Sequence, residues 1–156
     1  MLDAATLRQT YLATGLTDEQ LSKIGSLADV RNHSSGYVLA RQGEQAEEMY
    51  VVLNGEVRVT TQDGDLLGMI QAGNIVGEIA LVDARPRAAN VVCNGACTLA
   101  AFNLKALRQA MMADKDMGII VMANIAGVLA ARLRQADQMI DHLNDKSTDA
   151  WAGAHD

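Results

Sequence analysis

The apolar residues of this chain change their spacing twice, and that constrains the fold more than any other feature. Ahead of residue 30, Leu21, Ile24, Leu27 and Ala28 recur at helical spacing. Between Gly36 and Phe102 the period falls to two, in short runs at 37–40, 49–53, 56–60, 66–70, 90–93 and 97–102. Beyond Phe102 it lengthens again to three and four. A block of short strands flanked by helices is therefore expected. The fold class is α+β and mainly β: a jelly-roll-like β-roll with N-terminal helices and a long C-terminal helix.

Local signals refine the boundaries. Leu2, Leu7, Tyr11 and Leu12 predict a short helix over residues 3–13. Thr17, with Gln20 three residues on, is a capping box that starts a second helix ending before Asn32. Asn54-Gly55 and Asp63-Gly64 predict hairpins because both dipeptides tolerate positive φ, and Gly73-Asn74 predicts a weaker turn. A short helix is expected over 104–112 and a long one over 116–145. In the long helix Ile119, Met122, Ala126, Leu129, Leu133, Ala136, Ile140 and Leu143 form a heptad seam longer than a small sheet needs, which packs either on the chain's own strands or against a second copy in a parallel homodimer. Residues 1–145 are expected as one domain, and 146–156, polar apart from Trp151, as a mobile tail. Trp151 is expected to fold back or do nothing, with docking on a partner as the alternative.

Composition narrows the function. The chain is 156 residues long, 49% hydrophobic and only 3% aromatic, so Leu, Ile, Val, Ala and Met must fill its core. A net charge of −6, with basic residues scattered apart from Arg132 and Arg134, argues against nucleic acid as a partner. No apolar run is expected to span a membrane, and Met1-Leu2-Asp3 does not open a secretion signal. Cys93 and Cys97 lack metal-binding or CxxC spacing, which predicts buried free thiols in a reducing cytoplasm. His33, His142 and His155 fall in a loop, a helix face and the tail, with no nucleophile–base set. No catalytic residue, metal ligand or cofactor is expected, and the chain is not expected to be an enzyme.

The chemistry is concentrated in Gly77-Glu78-Ile79-Ala80-Leu81, a short polar loop, and Pro86-Arg87-Ala88-Ala89. Gly77 permits close backbone approach. The start of a helical turn leaves N–H groups for an anion. The Arg87 fork matches two phosphate oxygens. Glu78 is out of place beside a phosphate unless it accepts hydrogen bonds, as from a ribose hydroxyl.

This stretch resembles the phosphate-binding cassette of the cyclic nucleotide-binding domain family, which includes protein kinase A regulatory subunits and the bacterial catabolite activator protein. Arg41-Gln42-Gly43-Glu44 and Tyr50-Val51-Val52-Leu53-Asn54-Gly55-Glu56-Val57 extend the resemblance over residues 16–145. It implies a ligand held between the β-roll and the long helix. Glu78 would meet the ribose 2′-hydroxyl and Arg87 the cyclic phosphate, while Gly77, Ile79 and Ala80 supply backbone around the phosphate and Ala88 its edge. Arg132 would reach back toward the ligand. Asp137 stands where the activator protein has a hydroxyl residue that contacts adenine. Ala88, in a place where cGMP-preferring members often carry Thr or Ser, favours cAMP over cGMP. No helix-turn-helix follows the long helix, so a stand-alone cAMP sensor is expected, without DNA, acting on a protein effector. The resemblance also implies a switch hinged over residues 114–118, with Gly118 as its loose point. A ligand-free dimeric scaffold, or a sensor of cGMP or cyclic di-GMP, are the alternatives.

Overall fold

Two long antiparallel strands organise the computed structural model, which describes the backbone of residues 1–153 and the side chains through residue 145. They are β3 (Glu48–Thr60) and β6 (Asn90–Asn103), paired along most of their length from Glu48↔Asn103 to Thr60↔Asn90. Each changes its second neighbour along its length. β6 pairs with β1 (Ala28–His33) through residues 97–102 and with β2 (Val38–Ala40) through Val91 and Val92. β3 pairs with β5 (Ile75–Val76) through Tyr50 and Val51, and with β4 (Leu66–Gln71) through residues 56–60. The result is one six-stranded antiparallel sheet. The architecture is the expected α+β one, with short N-terminal helices and a long C-terminal helix.

The strands bend where the register slips. Six strand segments were expected, with a hairpin at Asn54-Gly55. Instead residues 48–60 form one strand, and the register shifts on either side of Asn54. Gly55, at φ +86°, supplies the positive φ for a bulge rather than for chain reversal. Asn90 to Asn103 is likewise continuous, and Asn94, Gly95 and Ala96 are exposed at its bend. Asp63-Gly64 does make the predicted hairpin: Thr61 N–H donates to Asp65 O at 2.9 Å, and Gly64 N–H to Thr61 O at 3.0 Å.

One core cluster gathers Tyr50, Val52, Val57, Val76, Val91, Cys93, Cys97, Leu99 and Ala101 with Ala40. Met49, Val51, Ala100 and Phe102 point to the opposite face of the same strands and are equally buried. Burial on both faces follows from the helices. The N-terminal helices contribute Leu7, Leu21 and Ile24, and α4 (Leu104–Ala113) contributes Leu104 and Leu107. Helix α1 is shorter than expected, running Ala4–Arg8, because Thr10 turns back to cap Leu7 O through both its N–H and its hydroxyl. Helix α2 (Asp18–Gly25) begins with the predicted capping box but stops earlier, and Ala28 already belongs to β1. β1 was not foreseen because only Ala28 on it is buried, so the sequence carries no apolar alternation there.

Residues 1–125 form one compact unit, and residues from 126 a second. The long helix α5 (Lys115–Gly153) supplies the end of the first and the second. In the first unit Met117, Val121 and Ile125 are buried, and Asn124 donates to Leu12 O and Thr14 O at 2.8 Å each. Gly118 is buried rather than loose: a Cβ there would stand 2.8 Å from Met111 O, so glycine permits a close approach of α4 to α5. In the second unit Leu133, Ile140 and Leu143 are exposed. Contrary to the sequence expectation, Lys115–Asp145 is long and apolar enough to cross a membrane by length and composition, a test that core helices also pass. The Trp151 side chain lies outside the described residues.

Candidate functional site

The cassette occupies the crossing from β5 to β6. Gly77 follows β5 in the left-handed region at φ +79°, and α3 (Ile79–Val82) turns directly after Glu78. The turn closes through Leu81 N–H to Glu78 O at 3.0 Å and Asp83 N–H to Ile79 O at 2.8 Å. Ala80 and Leu81 face inward, whereas Ile79 and Val82 are 55% and 62% exposed. Glu78 is only 2% exposed. A carboxylate at that depth is tolerable only where it is hydrogen-bonded.

Arg87 returns to this turn from the far end of the loop. Its guanidinium lies so close over Gly77 that a Cβ at residue 77 would overlap it. One arm, Nη2, donates to Glu48 O. The Arg87 backbone is clamped in both directions: its N–H donates to Glu44 O at 2.8 Å, and its carbonyl accepts from Gly43 N–H at 2.9 Å. Gln45 adds a bond to Ala84 O at 3.1 Å. The Arg41–Gln45 stretch is thus the brace of the cassette loop.

Residues outside the predicted set complete the surroundings. The Glu48 carboxylate receives the Arg31 fork at 3.0 and 2.8 Å, and Arg31 also meets Asp29 at 2.8 Å. Its hydrogen bonds to these two carboxylates hold Arg31 firmly protonated. Tyr50 stands beside Glu48, and burial pushes its phenol above the ordinary range while Arg87 and Arg31 pull the other way. Arg108, on α4, donates to Leu81 O at 3.2 Å and to Ala80 O.

Of the residues singled out by sequence, Gly77, Glu78, Ile79, Ala80, Arg87 and Ala88 share this one loop–helix–loop, with Ala88 exposed at its edge. Arg132 and Asp137 stand on the second unit, Arg132 half-buried and Asp137 exposed. A cavity of about 230 Å³ lined by Thr6, Thr10, Val52, Leu53 and Gly73, among others, contains no cassette residue. Chemically, the cassette offers a guanidinium with five N–H donors, of which Glu48 O takes one. Beside it are a left-handed glycine without a side chain and a buried acceptor.

Comparison with known proteins agrees with that chemistry. The family model described as "Cyclic nucleotide-binding domain" matches residues 30–114, which include the whole cassette and its brace. Glutaminase 1 of Bradyrhizobium diazoefficiens is 29% identical over 141 residues, covering 90% of this chain and 23% of the enzyme. The cAMP-activated global transcriptional regulator CRP of Salmonella typhimurium is 26% identical over 132 residues, 81% of this chain and 61% of the regulator. The chain therefore spans less than two thirds of these relatives. The crystal structure of a cyclic nucleotide-binding domain from Methylobacillus flagellatus superposes with a TM-score of 0.78 at 23% identity, covering 88% of this chain and 79% of that one.

Proposed function

Because this chain belongs to the cyclic nucleotide-binding domain family, we propose that it is a sensor that takes cAMP in the cassette and passes the signal on by a change of conformation. The observation that carries this is the Arg87 guanidinium packed over left-handed Gly77 beside buried Glu78. A cyclic phosphate would replace Glu48 O as the partner of the Arg87 fork, and Glu78 would accept from the ribose. Exposed Ala88 has no hydroxyl for a guanine amino group, which favours cAMP over cGMP, and one relative's name records cAMP as its activator. Arg132 and Asp137 are further candidate contacts on the resemblance alone.

The output is proposed as regulation rather than catalysis, through a protein effector. Two buried free cysteines suit a reducing, cytoplasmic setting. Exposed Ile119, Leu133, Ile140 and Leu143 along α5 suit a homodimer.

Calorimetric titration with cAMP, cGMP and cyclic di-GMP tests the reading, with Arg87→Ala as control and Arg132→Ala and Asp137→Ala alongside. Micromolar or tighter cAMP binding that Arg87→Ala abolishes is the expected result. No heat from any of the three would overturn it.

A further inference from the structure

Helix α3 is a single turn, and four residues cannot hold a helix in water unaided. Its own hydrogen bonds use the carbonyls of Gly77, Glu78 and Ile79, which accept from Ala80, Leu81 and Asp83. The carbonyls of Ala80 and Leu81 come after Ile79 O, the last of these acceptors, at the position where a helix end needs an outside partner. Both are taken by one side chain from another element. Arg108 Nε donates to Leu81 O at 3.2 Å, and its Nη2 donates to Ala80 O. A cation there also suits the negative end of the turn.

We propose that Arg108 is the positioning residue of the cassette, a deepening that rests on the ligand reading given above. By fixing the carbonyl end of α3 it fixes the backbone of Gly77 to Ala80 at the opposite end, where the phosphate would sit. It also joins the cassette to α4. That helix ends at Ala113, and Asp114 then caps the start of α5, accepting from Met117 N–H at 3.2 Å and from Gly118 N–H at 2.9 Å. Within the first unit, Arg108 is thus a direct side-chain bridge between the cassette turn and the helical segment that leads into α5. A lysine keeps the charge and has donors on one nitrogen only, without the planar fork that sets two nitrogens on two carbonyls.

The test compares wild type, Arg108→Ala and Arg108→Lys by three readouts. These are calorimetric titration with cAMP, amide hydrogen exchange of residues 79–83 without ligand, and thermal midpoint. Arg108→Ala is expected to weaken cAMP binding about tenfold. It is also expected to speed exchange at residues 79–83 while β3 and β6 exchange as before. Arg108→Lys is expected to recover part of both effects. Affinity and exchange indistinguishable from wild type in Arg108→Ala would overturn the proposal. So would loosening of β3 and β6 together with the turn, because Arg108 would then be a general structural prop. If wild type bound no cAMP, the ligand reading would fall, and exchange at residues 79–83 would still decide whether Arg108 holds the turn.

Discussion

Gly77 meets two demands at once. Its φ of +79° is one that an L side chain adopts only with strain, and the Arg87 guanidinium fills the space where a Cβ would go. Gly77→Ala is therefore expected to cost about 1–2 kcal/mol in backbone strain, and to push Arg87 off the turn as well. In titration with cAMP it should lose affinity beyond the strain that the melting midpoint records. Arg87→Ala should cost about 2–5 kcal/mol of binding, because it leaves a desolvated phosphate charge without its partner. Glu78→Ala should cost about 1–3 kcal/mol through the lost acceptor. An Arg87→Ala protein that bound as tightly as wild type would remove the guanidinium from the account. Cys93 gives a separate test. Burial, with the neighbouring Cys97 thiol, pushes its pKa up from 9.0 to about 12. The folded thiol then keeps its proton while the unfolded one loses it, so stability from this group is intact below about pH 9 and falls between about 9 and 12. Cys93→Ala should flatten the alkaline melting curve in that window. The cassette was legible in the sequence because its residues lie within thirteen positions of each other and form a recognisable pattern of residue types. Arg31, Glu48 and Arg108 were not. Arg108 acts on backbone carbonyls 27 and 28 positions away, and Arg87 meets the main chain of Glu48 rather than its side chain. Neither leaves a pattern of residue types.

Among the elements, the two bent strands carry the largest difference between expectation and structure. Asn54-Gly55 and Asp63-Gly64 look alike in sequence, and both glycines have positive φ, at +86° and +91°. One bends a strand and the other reverses it. What separates them is whether the residues on either side keep pairing with the same neighbour, as those around Gly55 do with β6. That is a long-range fact, and no local window contains it. The surroundings differ too. A Cβ on Gly55 would stand 2.5 Å from Ala96 O and 3.3 Å from the Cys97 sulfur, whereas one on Gly64 would meet nothing within 4 Å. Gly64→Ala should therefore cost only the strain of positive φ, about 1–2 kcal/mol. Gly55→Ala should cost more, about 3 kcal/mol or above, since the paired strands must also separate. Chemical denaturation of the two variants checks this, and equal losses would mean that the bulge tolerates a side chain. Burial alternates only over part of β6, at Asn90–Cys93, whereas 49–52 and 99–102 are buried on both faces and read as short continuous apolar runs.

At the scale of the whole molecule, the apolar residues exposed along α5 pose the remaining physical problem. Ile119 and Leu133 are 68% and 64% exposed, and Ile140 and Leu143 are 54% and 59% exposed. Ile119, Ala126, Leu133 and Ile140 recur every seven residues, and so do Met122, Leu129, Ala136 and Leu143, so the two rows make a single stripe. A stripe of this kind left in water forgoes the stabilisation that burial of each large side chain brings, about 1.5–3 kcal/mol. Pairing with the same stripe on a second copy would recover it, and identical heptads would favour parallel, in-register pairing. The buried face of the first unit follows a different set, Met117, Val121 and Ile125; of the stripe Met122 and Leu129 are half-buried, while Ile119, Leu133, Ile140 and Leu143 stay exposed. Sedimentation equilibrium at tens of micromolar is expected to give a dimer mass, and Leu133→Glu with Ile140→Glu should give a monomer. That doubly substituted chain should keep its strand content, since neither residue belongs to the β-roll core. A wild-type chain that stayed monomeric at those concentrations would show that the stripe answers to some other surface.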